Sequence, residues 1–180
     1  MPILQENVYV AGGKVTTEGI TATYGIASVA NTPAATPTDV FILNGSLTKT
    51  VKIKRVTVSG VATTAGTMRV VLVKRTAANT GGTSTAPSIS KFDSNDSAAT
   101  AVPKLYTANP SALGTVVNVS AQSLNFGVAG AAGNVMFDFS NRNDKAIYLR
   151  GVAEGLAINL NGDTVPTGGT FGYTVEFEEA

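Results

Sequence analysis

The C-terminal segment restricts what this chain can fold into more than any other stretch. Phe171, Tyr173, Val175 and Phe177 fall in one phase, whereas Thr170, Thr174, Glu176 and Glu178 fall in the other. A two-residue period with apolar and polar faces describes a half-buried β-strand, and no helix accommodates it. The same period recurs along the chain. Leu156, Ile158 and Leu160 alternate with Ala157 and Asn159 before an Asn161-Gly162 turn. Val135, Phe137 and Phe139 alternate with Met136 and Asp138, and a loop over Asn141-Arg142-Asn143-Asp144 leads to a strand from Lys145 to Arg150.

The middle of the chain follows the same rule. Val40 to Leu43 is a short apolar run ending at Asn44-Gly45. Val51 and Ile53 share one phase and Val56 and Val58 the other, so the slip at Lys54-Arg55 predicts a β-bulge. Met68, Val70 and Leu72 oppose Val71 and Val73; apolar residues in both phases imply a strand covered on both sides, or one at a subunit contact. No window shows a 3.6-residue stripe, and one turn of helix near Ser97 to Ala101 is the most that is expected. Many short strands with Gly and Asn turns, together with only 14% charged residues, predict an all-β protein: an antiparallel β-sandwich, jelly-roll-like.

Two prolines, in Asn31-Thr32-Pro33-Ala34-Ala35-Thr36-Pro37-Thr38, suggest a stiff linker. The chain divides there, into an extended N-terminal arm over residues 1–37 and a sandwich body over 38–180. Thr76 to Ser90 is polar and without period, and Gly127 to Gly133 is built of small residues; both read as loops. The start, Met1-Pro2-Ile3-Leu4-Gln5-Glu6, lacks the basic and apolar regions of a secretory signal, and no apolar run is long enough to cross a membrane as a helix. Synthesis in a cytoplasm is expected.

The chain contains no His, Cys or Trp. Ser-His and Cys-His nucleophiles and ordinary zinc sites are therefore excluded, and neither enzymatic activity nor a cofactor is expected. Carboxylates alone can still catalyse, and Glu154 with Asp163 is the candidate pair for glycoside hydrolysis. Asp93-Ser94-Asn95-Asp96-Ser97, and Asn159 with Asn161 and Asp163, are oxygen clusters lacking the glycine and distal Glu of an EF-hand; turn formation is their simpler reading. Tyr24, Tyr106 and Tyr148 are candidates to line a sugar site, or core residues.

Charge is uneven although the net is +1. Between Val40 and Phe92 stand Lys49, Lys52, Lys54, Arg55, Arg69, Lys74, Arg75 and Lys91, with no acidic residue. The first seven are the candidate partner-binding residues, forming a basic face for an acidic protein surface. Against this, the strands that carry them pair with the acidic end of the chain, Glu176, Glu178 and Glu179. The low net charge argues against nucleic acid as a partner.

Three segments, Val73-Lys74-Arg75-Thr76-Ala77-Ala78-Asn79-Thr80-Gly81-Gly82-Thr83-Ser84, Tyr106-Thr107-Ala108-Asn109-Pro110 and 141–162, give residues 38–180 a resemblance to small β-rich structural proteins of tailed bacteriophages, of the head decoration type. That resemblance implies a jelly-roll virion component, commonly a homotrimer, bound to the major capsid protein or another virion protein, without catalytic residues. A tail or fibre-tip adhesin for host surface glycan is the alternative expectation, with the loop from Thr76 to Ser90 as its site.

Overall fold

A computed structural model describes residues 8–11, 14–17, 21–127, 130–140 and 146–180. The strands are β1 (Val8–Ala11), β2 (Lys14–Thr17), β3 (Ala22–Asn31), β4 (Asp39–Asn44), β5 (Thr50–Val61), β6 (Gly66–Arg75) and β7 (Thr83–Thr85). They continue with β8 (Ser90–Lys91), β9 (Val102–Ala108), β10 (Val116–Phe126), β11 (Gly133–Asp138), β12 (Ile147–Arg150), β13 (Gly155–Asn159) and β14 (Thr170–Glu179). The described residues contain no helix. Two antiparallel sheets pack together. A front sheet runs β11-β5-β14-β3-β8 with β12 also beside β5, and a back sheet runs β10-β6-β13-β4-β9-β7. β1 and β2 pair with each other and with no strand of the sandwich.

Alternation explains how the layers meet. Phe171, Tyr173, Val175 and Phe177 of β14 are buried, and they face Phe41, Leu43, Met68, Val70, Leu72, Leu156 and Ile158 of the back sheet in one core. Phe126 meets Phe171 edge-on at 5.6 Å, and Tyr24 stacks on Phe177 at 5.4 Å, both arrangements that aromatic quadrupoles favour. The slip in β5 is a bulge: Arg55 pairs with Glu176 and Ile53 with Phe177, which leaves Lys54 as the extra residue. Asn161 and Gly162 form the expected turn, both with positive φ (61° and 71°), which Asn and Gly tolerate best.

Three expectations need correction. The division at residue 37 does not fall there, because β3 lies inside the front sheet. Its Tyr24 and Ile26 are buried core residues, and it pairs with β14 from Ala22 to Asn31. The proline segment is fixed to the body as well: Val165 donates to Ala35 O, Gly162 to Pro37 O and Leu160 to Thr38 O. Of the expected arm, 1–7, 12–13 and 18–20 lie outside the described residues. The turn of helix near Ser97 to Ala101 is absent. The backbone N–H groups of Thr100 and Ala101 donate to the buried Glu179 carboxylate instead, which holds the segment extended against β14.

Candidate functional site

β5, the Lys49 before it and β14 together explain four of the basic residues. Outward-facing positions on β5 stand beside outward-facing acids on β14, because neighbouring strands place their side chains in register. Lys54 Nζ lies 2.7 Å and Lys52 Nζ 3.4 Å from Glu178, and Arg55 Nη2 lies 2.6 Å from Glu176. Lys49 lies 3.5 Å from Glu179. The bulge is what allows this, since it turns both Lys54 and Arg55 outward in succession. Burial pushes the Glu178 carboxyl up, but the Lys54 hydrogen bond and the charges of Lys54 and Lys52 outweigh it and hold the group below its ordinary value. The pairing with the acidic terminus therefore accounts for these four cations.

On the back sheet, Arg69 and Lys74 of β6 are paired too. Arg69 donates through its backbone N–H, Nε and Nη2 to Asp163 at 2.9, 3.3 and 3.0 Å. These bonds hold the Asp163 carboxyl at about 2. Lys74 lies 3.1 Å from Glu154. Burial pushes Glu154 up, but the Arg150 N–H and Lys74 outweigh it, and it stays below its ordinary value. Both carboxyls are thus held ionised, and neither is poised to donate a proton near neutrality. Glu154 precedes β13 and Asp163 follows it, and their partners Lys74 and Arg69 stand five positions apart on β6, an odd number that puts them in opposite phases. The two carboxyls are thus each held by a different cation.

Arg75 is the clearest departure from a basic face, for it is 1% exposed. Its Nε and Nη2 donate to the two oxygens of Asp39 at 2.8 and 2.6 Å, and its Nη1 to Gly114 O at 2.8 Å. Asn79 and Asn159 each donate a further 2.7 Å bond to the same carboxylate. Two loops close over this network. Asn79 accepts from Gly114 N–H, and Thr80 and Ala112 form a bridge between the loops. Beside it Ile42, Val73, Tyr106 and Ala157 form a second small core, with Val71 packed against it. The strand with apolar residues in both phases is thus covered on both sides by its own chain.

Both oxygen clusters are engaged internally. The Lys91 ammonium donates to Ser94 O at 2.9 Å and Asp96 O at 2.7 Å, placing a cation among the oxygens of the 93–97 loop. Asn159 is committed to Asp39, and Asn161 donates to Asp163. No group of three or more potential metal-ligating side chains occurs among the described residues. Of the three candidate tyrosines, Tyr24 and Tyr106 are core residues. Tyr148 lines a cleft of about 410 Å³ with Thr21, Thr50, Lys52, Arg150 and Glu178. The Arg150 guanidinium sits 5.4 Å from the Tyr148 ring centre.

Sequence reasoning missed two surface features. Phe92 is 61% exposed, although its ring packs on Gly25. β10 is an eleven-residue edge strand with Val116, Val117 and Val119 exposed. A signal for the second was present: no charged residue occurs between Lys104 and Asp138. Compared with known proteins, the chain matches no family, no curated protein and no solved structure.

Proposed function

We propose that this protein is a non-enzymatic virion component, a decoration protein that binds and stabilises a capsid shell. The single observation that carries the reading is the edge of the back sheet. Edge strands expose unpaired N–H and C=O groups, and proteins ordinarily blunt them with charge, proline or short length. The far edges of the two sheets are short, β7 with three residues and β8 with two. β10 has eleven residues, no charge and no proline. The Gln122 side chain, which donates to Met136 O, covers the C-terminal half, so Val116 to Asn118, ahead of the bulge at Val119, is the segment open to a neighbour. A strand added there gains main-chain hydrogen bonds and valine contacts, and many copies on a lattice turn weak contacts into firm attachment.

In this reading the sandwich is of the jelly-roll type and the copies form a closed homotrimer. The partner is the major capsid protein or another virion protein, with no nucleic acid or membrane involved, and the site of action is the virion after synthesis in the host cytoplasm. The resemblance of residues 38–180 to phage decoration proteins supports it. Six of the seven candidate basic residues then act as rim contacts rather than as an open cationic face, and Arg75 takes no part. The test is occupancy on purified capsid shells. Val117→Lys should lower occupancy at least tenfold without changing the unfolding midpoint, and full occupancy by this variant counts against the edge. A second reading, a tail or fibre-tip adhesin for host glycan, is favoured by the cleft beside Tyr148.

A further inference from the structure

We propose that the outer face of the front sheet carries a binding row for a neutral, hydroxyl-rich oligosaccharide. The proposal deepens the adhesin reading and is independent of the capsid one. Its basis is strand register. Tyr148 pairs with Lys52, Lys52 with Glu178, and Glu178 with Thr23. Phe92 then donates its backbone N–H to Thr23 O at 3.0 Å. Five residues from five successive segments thus form one line perpendicular to the strands. At a strand spacing of about 4.8 Å the line is roughly 19 Å long, with an aromatic ring at each end.

Two clefts lie along this line. One, of about 410 Å³, surrounds Tyr148, Lys52, Arg150 and Glu178. The other, of about 300 Å³, surrounds Phe92 with Thr23, Asp93 and Asp96. Thr21 lines both, so they adjoin. The donor set decides the ligand. Sugar hydroxyls both donate and accept, and the row offers acceptors at Glu178, Asp93 and Asp96 and donors at Lys52 and Arg150. Carboxylates at its middle and one end disfavour a uniformly anionic chain. The exposed Phe92 ring at one end, and at the other the Tyr148 ring with Arg150 over one face, suit the C–H faces of pyranose rings, and one strand step is close to the advance of one ring.

Phe92 is held as a rigid anchor would be. A Cβ on Gly25 would come within 2.8 Å of its ring, so a side chain there would shift the ring from this position. Its backbone is fixed to Thr23, and the following loop closes on the Lys91 ammonium. An exposed aromatic fixed on a sheet loses little freedom on binding.

The full chain should be applied to a glycan array of neutral and anionic oligosaccharides, then titrated calorimetrically with the tightest neutral tetrasaccharide. Neutral glycans should bind, and Phe92→Ala and Tyr148→Ala should each weaken binding roughly tenfold. Phe92→Ala, which removes an exposed ring, should keep its unfolding midpoint and its capsid occupancy. A blank array overturns the proposal, as does a preference for anionic glycans. Glycan binding that neither variant weakens removes this row while leaving the adhesin reading standing. A blank array with capsid occupancy lost in Phe92→Ala makes the row a protein contact instead.

Discussion

The outer faces of the two sheets solve the same problem in opposite ways. On the front sheet, Lys52, Lys54 and Arg55 meet Glu176 and Glu178 at the solvent surface. On the back sheet, Arg75 and Asp39 meet beneath two loops, at 1% and 0% exposure. The ions are of the same kinds and the spacings similar, but the surroundings differ. Water screens the front pairs, so each contributes little to stability. The back pair has lost its water and depends on hydrogen bonds, with four donated to Asp39 and a fifth from Arg75 to Gly114 O. Charge is therefore cheap to alter at the front pairs and costly at Arg75 and Asp39.

The largest expected effect breaks that comparison directly. Asp39→Ala should destabilise the protein by about 3–5 kcal/mol, because it strands a buried guanidinium. Chemical denaturation measures this, and a loss below about 1 kcal/mol would show that the loops do not exclude water. Acid titration comes next. The Asp163 carboxyl is lowered from 3.8 to about 2 by Arg69, so its contribution is present above its unfolded value and is lost as pH falls from about 4 through about 2. Glu178 and Glu154 are also lowered and act in the same direction. The unfolding midpoint should fall over that window, and Asp163→Asn should flatten part of the fall; an unchanged profile would show that the Arg69 contact does not form in solution. The smallest effect is expected of Arg55→Ala, a drop in the thermal unfolding midpoint smaller than that of either other variant. A larger loss would mean that the front pairs act as a network with the bulge.

Much of the fold was legible because alternation is a local property. β14, β13, β5 and β6 follow from which neighbours in sequence are apolar, and even the bulge at Lys54 shows as a change of phase. Arg75 was misread for a physical reason. It shares its phase on β6 with Arg69, and only the 76–82 and 109–115 loops separate a buried arginine from an exposed one. Those loops have no period, and Asp39 lies 36 positions away. The row from Tyr148 to Phe92 was hidden in the same way. Its members come from five segments, and their alignment exists only once the register of the front sheet is set.

The bulge in β5 has one more consequence. If a strand of this length paired regularly, without the bulge, one half of it would slide by a single step. Val51 and Ile53, or Val56 and Val58, would then turn to solvent as a block. Opposite this point β11 has ended, β12 has not begun, and Phe139 donates to Lys54 O. The extra residue thus works as a frame marker: the chain reads its core in one frame before it and in another after it, and the bulge keeps both in sense.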